Sequence, residues 1–202
     1  YNSAMPVIGH AFVGLATAMV ATPRQGIRRR GFLWVPAIVA LSYLPDIVGQ
    51  PLSMLNARSW HNIAHSLILS VPIAAAFTPV LAGVFGLGRL RSFCVALASV
   101  ALHGVLDALY SRKPMLFWPI TPQSEGPAIG QHPPILLEML VFPAAFGLFW
   151  LAWRWRQRAS GRPLKPVVWL GTTRKERWFS IGLTLAILGA AGGTCGLWLL
   201  RN

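Results

Sequence analysis

Six apolar stretches alternate with short polar or Gly/Pro-rich breaks along the chain: residues 6–21, 31–48, 64–87, 91–110, 134–155 and 178–200. Each approaches or exceeds the roughly 18 to 20 residues that a helix needs to cross a bilayer core. The breaks are abrupt, as in "TPRQGIRRRG" after the first stretch and "SRKPMLFWPITPQSEGPAIGQHPP" before the fifth, and such clusters of Pro, Gly and charge end helices. Backbone amides and carbonyls find no water in hydrocarbon, so runs this long and uniformly apolar are expected as helices. The predicted fold is all-α: a polytopic membrane helical bundle of about six transmembrane helices, forming a single integral-membrane domain over residues 1–202. The first stretch lacks a preceding basic region and a following small-residue cleavage site, so it is expected to be retained as a helix. Tyr1 to Ala4 read as an appended remnant, with Met5 as the natural start.

Composition agrees with this pattern, with 54% apolar and 11% charged residues, far from soluble averages. The net charge of +13 raises nucleic acid as a partner, but the placement of the charge points to membrane orientation. Fourteen of the eighteen Lys and Arg residues fall in the first, third and fifth breaks: Arg24, Arg28, Arg29 and Arg30; Arg89 and Arg91; and eight from Arg154 to Arg177. Arg58, Arg112, Lys113 and Arg201 lie on the other side. The positive-inside bias places the fourteen in the cytoplasm and both termini outside. Membrane lipids suffice as partners for these charges, and no nucleic-acid partner is expected.

Acidic residues are few: Asp46, Asp107, Glu125, Glu138 and Glu176. Asp46, Asp107 and Glu138 lie in or at the ends of apolar stretches, as do His10, His61, His65 and His103. With the orientation above, all seven stand at non-cytoplasmic helix ends. Charge within a membrane segment is costly and usually marks function. Residues four apart on a helix share a face, so His61 with His65 and His103 with Asp107 can each converge on one point. Imidazole and carboxylate together suit zinc, manganese or iron. The seven residues are therefore candidate ligands for a divalent metal.

Simpler readings apply elsewhere. His132 is expected to hydrogen-bond at the headgroup level, and Asp46, after Pro45, has helix capping as a competing role. Ser66 reads as a helix-start residue or a hydrogen-bond partner to a ligand. Cys94 and Cys195 read as small buried hydrophobes. The Trp residues near segment ends fit an interfacial belt, and the glycines of "LGAAGGTCG" fit close helix packing.

The ordered motifs "MPVIGHAFVGLA", "SYLPDIV", "HNIAHSL", "HGVLDALYS" and "FWPI" resemble the LexA-regulated, inner-membrane metal-dependent hydrolases, also called YdjM-like proteins. The likeness covers roughly the first two thirds of the chain. Family members show an early histidine, a Leu-Pro-Asp, a His-Arg-Gly-x-Thr-His-Ser, a His-x-x-x-Asp and a later Trp-Pro. Here the third motif keeps His61, His65 and Ser66 but loses its Arg, Gly and Thr. That family is in turn similar to zinc-dependent phospholipase C and P1 nuclease. The resemblance implies His10, Asp46, His65 or His61, His103 and Asp107 as metal ligands, with Glu138 a late carboxylate. No histidine stands four residues before Glu138, which reduces the expectation to one or two ions, zinc first and manganese or iron as alternatives.

The expected function is a membrane-embedded metal-dependent hydrolase that cleaves a phosphoester of a phospholipid or lipid-linked substrate with metal-activated water. Its expected location is the bacterial inner membrane, with the site facing the periplasm. Asp46 or Glu138, where not a ligand, would accept the water's proton, and Arg58, Arg112 and Lys113 would hold the phosphate. Two alternatives stay open: a haem-binding electron carrier using the histidines as axial ligands, and a metal-ion transporter.

Overall fold

A computed structural model describes residues 7–22, 27, 30–54, 63–109, 116–120, 143–148, 150–151, 154–155 and 173–201. Its principal elements are helices: α1 (Val7–Ala21), a short 3-10 turn (Gly31–Leu33) leading into α2 (Trp34–Ser42), α3 (Leu44–Met54), α4 (Leu67–Phe85), α5 (Arg89–Leu109) and α6 (Arg174–Arg201). No strand occurs among the described residues. α4 and α5 form the most extensive pair, α1 lies on α2 and α5, and α6 runs along α2.

Two of these helices are long and apolar enough to cross a membrane by length and composition: α4, with a mean hydropathy of 2.1 over its apolar window, and α5, with 1.4. The apolar helices of the first two stretches, Gly9–Ala21 and Gly31–Ser42, are shorter. The second stretch is not one helix, because it breaks at Tyr43. Pro45 brings no N–H to the ladder and is tolerated only in a first helical turn. α2 therefore closes with the Tyr43 N–H bonded to the Ala40 and Leu41 carbonyls, and α3 starts afresh. Asp46 thus stands in the first turn of α3 rather than at the exit of α2.

Near the C-terminus, Thr173 and Glu176 form a reciprocal cap: the Thr173 N–H donates to Glu176 Oε2 at 3.0 Å and the Glu176 N–H donates to Thr173 Oγ1 at 3.2 Å. This arrangement starts α6 a turn before its apolar stretch.

The core is built on α2. Trp34, Ile38, Val39, Leu41 and Tyr43 pack with Ala11 and Ala18 of α1, Ala74, Leu81 and Phe85 of α4, and Val95 and Ala96 of α5. In lipid, helices associate through close van der Waals packing rather than through apolar burial, so small residues mark the contact. Gly14 is one such residue, because a Cβ there would stand 2.7 Å from Ser42 Oγ and 2.9 Å from Val39 Cα. Gly189, by contrast, meets nothing within 4 Å among the described residues. Cys94 is free and exposed rather than buried.

Candidate metal centre

Four stretches of chain meet at one end of the bundle. His10 lies in the first turn of α1, Asp46 in the first turn of α3, His65 in the turn before α4, and His103 and Asp107 one turn apart near the end of α5. All five are buried, His10 and His103 completely and Asp46, the least so, to 5% exposure.

The Nε2 atoms of all three histidines face the two carboxylates. His65 Nε2 lies 2.9 Å from Asp107 Oδ2 and 3.5 Å from Asp46 Oδ1. His10 Nε2 is 3.2 Å from Asp107 Oδ1 and 3.9 Å from Asp46 Oδ2, and His103 Nε2 is 3.7 Å from an oxygen of each. Asp46, His65, His103 and Asp107 each offer one ligand atom, and these atoms all lie within 4.8 Å of one another. Ligands about 2.1 Å from a shared tetrahedral ion stand about 3.4 Å apart, so modest contraction would complete such a shell.

Hydrogen bonds do not account for this arrangement. Beyond these imidazole–carboxylate approaches, His10 Nδ1 and Nε2, His103 Nε2, Asp46 Oδ1 and Asp107 Oδ1 are buried without a hydrogen-bond partner, an expensive state in a dry interior. A cation held among them would supply the missing partner. The donor set and its orphaned atoms fit a divalent metal ion, and this buried cluster can hold one.

Ser42 sets the orientation of the His103 ring and holds the backbone of His10. Its carbonyl oxygen lies 2.6 Å from His103 Nδ1, and because a carbonyl only accepts, Nδ1 is the donor and Nε2 is left for a ligand. Its hydroxyl, 2.9 Å from the His10 carbonyl and 2.7 Å from that of Val39, ties α1 to α2 beside the site.

Ser66 starts α4 as its N-cap, accepting from the N–H groups of Ile68 and Leu69. Its hydroxyl also approaches the Trp118 carbonyl at 2.8 Å and the Leu116 carbonyl at 3.2 Å, and the Leu67 N–H donates to Leu116 at 2.8 Å. The turn 116–120 is thereby fastened beside His65. Gly104 lies under the same place: a Cβ on it would stand 2.5 Å from the His65 carbonyl oxygen.

A family profile for the YdjM inner membrane protein matches residues 5–192. The chain belongs to the YdjM inner membrane protein family. No curated protein and no solved structure matches it significantly.

This family member therefore brings together five of its seven candidate ligands: His10, Asp46, His65, His103 and Asp107. His61 and Glu138 lie outside the described residues, as do Arg58, Arg112 and Lys113. His65 stands in the turn between helical Ile63–Ala64 and α4. Ser66 serves the helix start and the 116–120 turn, not a ligand side chain. Ser42 and Gly104 went unnoticed in the pattern. The signal for Gly104 was its place between His103 and Asp107 in "HGVLD"; a lone serine in an apolar run, such as Ser42, carries no comparable signal.

Proposed function

We propose that this YdjM-family chain is a membrane-embedded metal-dependent hydrolase acting on a phosphoester of a phospholipid or lipid-linked substrate. The observation that carries the reading is the convergence of three imidazole Nε2 atoms on two buried carboxylates, from four separate stretches of chain. The family's inner-membrane assignment and the apolar helices beside the site favour a lipid substrate. The order His10, Asp46, His65, His103, Asp107 is also the order that a resemblance to zinc-dependent phospholipase C and P1 nuclease would imply.

His65, His103, Asp107 and Asp46 would hold the ion, with His10 completing or sharing the shell. A divalent ion so bound, zinc first and manganese or iron next, supplies Lewis acidity and lowers the pKa of water. The chain's own residues do the rest. Ser42 keeps His103 Nε2 turned inward through its carbonyl. Asp46, the least buried of the five, is placed to take a proton from attacking water where it is not itself a ligand, and Glu138 is the alternative base. Arg58, Arg112 and Lys113 would hold the phosphate oxygens. All six apolar stretches would span the inner membrane, with the site opening on the periplasmic side.

The haem alternative fits the geometry less well. Axial histidines flank a flat macrocycle, whereas the rings of His10 and His103 stack directly, 3.7 Å apart and inclined by 22°. Transport would ordinarily need polar groups reaching toward the far side, and α1 beyond His10 is apolar up to Thr17.

Elemental analysis of the detergent-purified full-length protein, joined to a screen of phospholipid and polyprenyl phosphate substrates, tests the proposal. Metal-dependent release of a phosphorylated headgroup or of inorganic phosphate is expected. A folded, metal-loaded protein inert across that screen would overturn the hydrolase reading, and folded protein that takes up neither zinc nor manganese would overturn the metal site.

A further inference from the structure

The opposite end of the bundle has its own chemistry. Pro79, Val80, Gly83 and Val84 lie on the last turns of α4, and together with Arg30 they line a cleft of about 410 Å³. Gly83 leaves the cleft open, since a Cβ there would meet nothing within 4 Å. Val80, 52% exposed, forms part of an outward face on the most apolar of the helices.

Arg30 stands at the mouth, exposed, with a backbone φ of 44°. That left-handed conformation is uncommon for a residue with a side chain, and here it starts the 3-10 turn through the bond from the Leu33 N–H to the Arg30 carbonyl at 2.9 Å. Among the described residues, no carboxylate forms an ion pair with Arg30. Arg28 and Arg29 precede it, no acidic residue occurs before Asp46, and none lies between Asp46 and Asp107. Glu176 of α6 is engaged in its own helix cap.

We propose that this cleft binds one anionic phospholipid, with an acyl chain against Pro79, Val80, Gly83 and Val84 and the phosphate on the Arg30 guanidinium. A guanidinium offers paired N–H donors matched to phosphate oxygens, and basic pockets at helix ends favour anionic headgroups. The apolar wall excludes a free soluble anion as the intended occupant. Sixteen residues separate Leu67 from Gly83, roughly 24 Å of helix, so this site is distinct from the His/Asp cluster and belongs to the other leaflet. It does not depend on the hydrolase reading.

Native mass spectrometry of the full-length protein, titrated in detergent with phosphatidylglycerol or phosphatidylcholine, tests it. One phosphatidylglycerol should be retained with a preference of about tenfold, the size of a charge-assisted hydrogen bond. Arg30→Gln should erase that preference, while Arg89→Gln, at an exposed position on the same end, should keep it. Gly83→Leu, which fills the cleft, should weaken retention of both lipids. Should Gly83→Leu fail to fold, Val80→Trp fills the same space from an exposed position. Retention without headgroup preference, signifying annular lipid only, would overturn the proposal. So would equal losses from Arg30→Gln and Arg89→Gln, or full retention in a folded cleft-filling variant.

Discussion

His10 and His103 lie ring on ring, their centroids 3.7 Å apart, and each points its Nε2 at both Asp46 and Asp107. The stack is made by residues far apart in sequence, one from the start of α1 and one from the end of α5. Ser42 supports both, through the His10 carbonyl and the His103 ring. Two imidazoles positioned this closely against two carboxylates form a shell that could hold a cation.

The full-length protein is accordingly expected to purify with, or take up, a divalent transition metal. His65→Ala and Asp107→Ala should each lower occupancy by about tenfold or more. Occupancy should also fall on acidification, because imidazole must shed its proton to bind metal. Inductively coupled plasma mass spectrometry on samples matched for folding reads the outcome, and undiminished metal in both variants would place the ion elsewhere.

Asp107→Asn separates chemistry from architecture. The amide keeps the shape of the carboxylate but loses its charge, so hydrolysis of a confirmed substrate should fall by about a hundredfold or more. The helical circular dichroism spectrum should be retained. Activity equal to wild type would remove Asp107 from the site.

Gly104→Ala probes the approach of α5 to the His65 turn. Its Cβ would meet a backbone oxygen at 2.5 Å, and such a clash should cost about 1–3 kcal/mol together with some metal affinity. Gly182→Ala, with nothing within 4 Å of its Cβ, should change stability by less than about 1 kcal/mol. Thermal unfolding in one detergent compares the two, and equal melting temperatures would contradict the close approach.

The convergence of His10, Asp46, His65, His103 and Asp107 on one end of the bundle was readable from the chain, because polar groups are rare in apolar runs and basic loops alternate with them. Much of their support was not. The break at Tyr43 is hidden, since the apolar pattern continues across it and only Pro45 disturbs the ladder. The tie between Ser66 and the turn 116–120 joins residues some fifty positions apart, and a hydroxyl does not announce its acceptor. The start of α6 at Arg174 lies ahead of the apolar pattern, which begins at residue 178 and passes over the capping signature Thr173-x-x-Glu176.

Ser66→Ala should therefore do more than remove a helix cap. Loss of the cap alone is worth about 1 kcal/mol, and the same hydroxyl also bonds the 116–120 turn. Ser66→Thr retains a hydroxyl and should restore most of the loss. Limited proteolysis and melting temperature together read both effects, and a Ser66→Ala protein indistinguishable from wild type would show the tie to be incidental.

Sidedness has its own test. Single cysteines at Ser59 and Ser124, in a background lacking Cys94 and Cys195, should react with an impermeant maleimide on intact spheroplasts, whereas one at Ser160 should not. The reverse pattern would invert the topology and place the site on the cytoplasmic side.

At the end of α1 far from His10, Arg91 of α5 donates to the Ala21 carbonyl at 2.8 Å, while Ser42 holds the His10 carbonyl at the near end. α1 is thus a rod clamped at both tips to different neighbours. An α-helix is far stiffer along its axis than the side chains it carries, so the two ties fix the position of the whole rod rather than of its tips alone. The place of the His10 ring in the imidazole stack is thus set by a backbone tied at both ends.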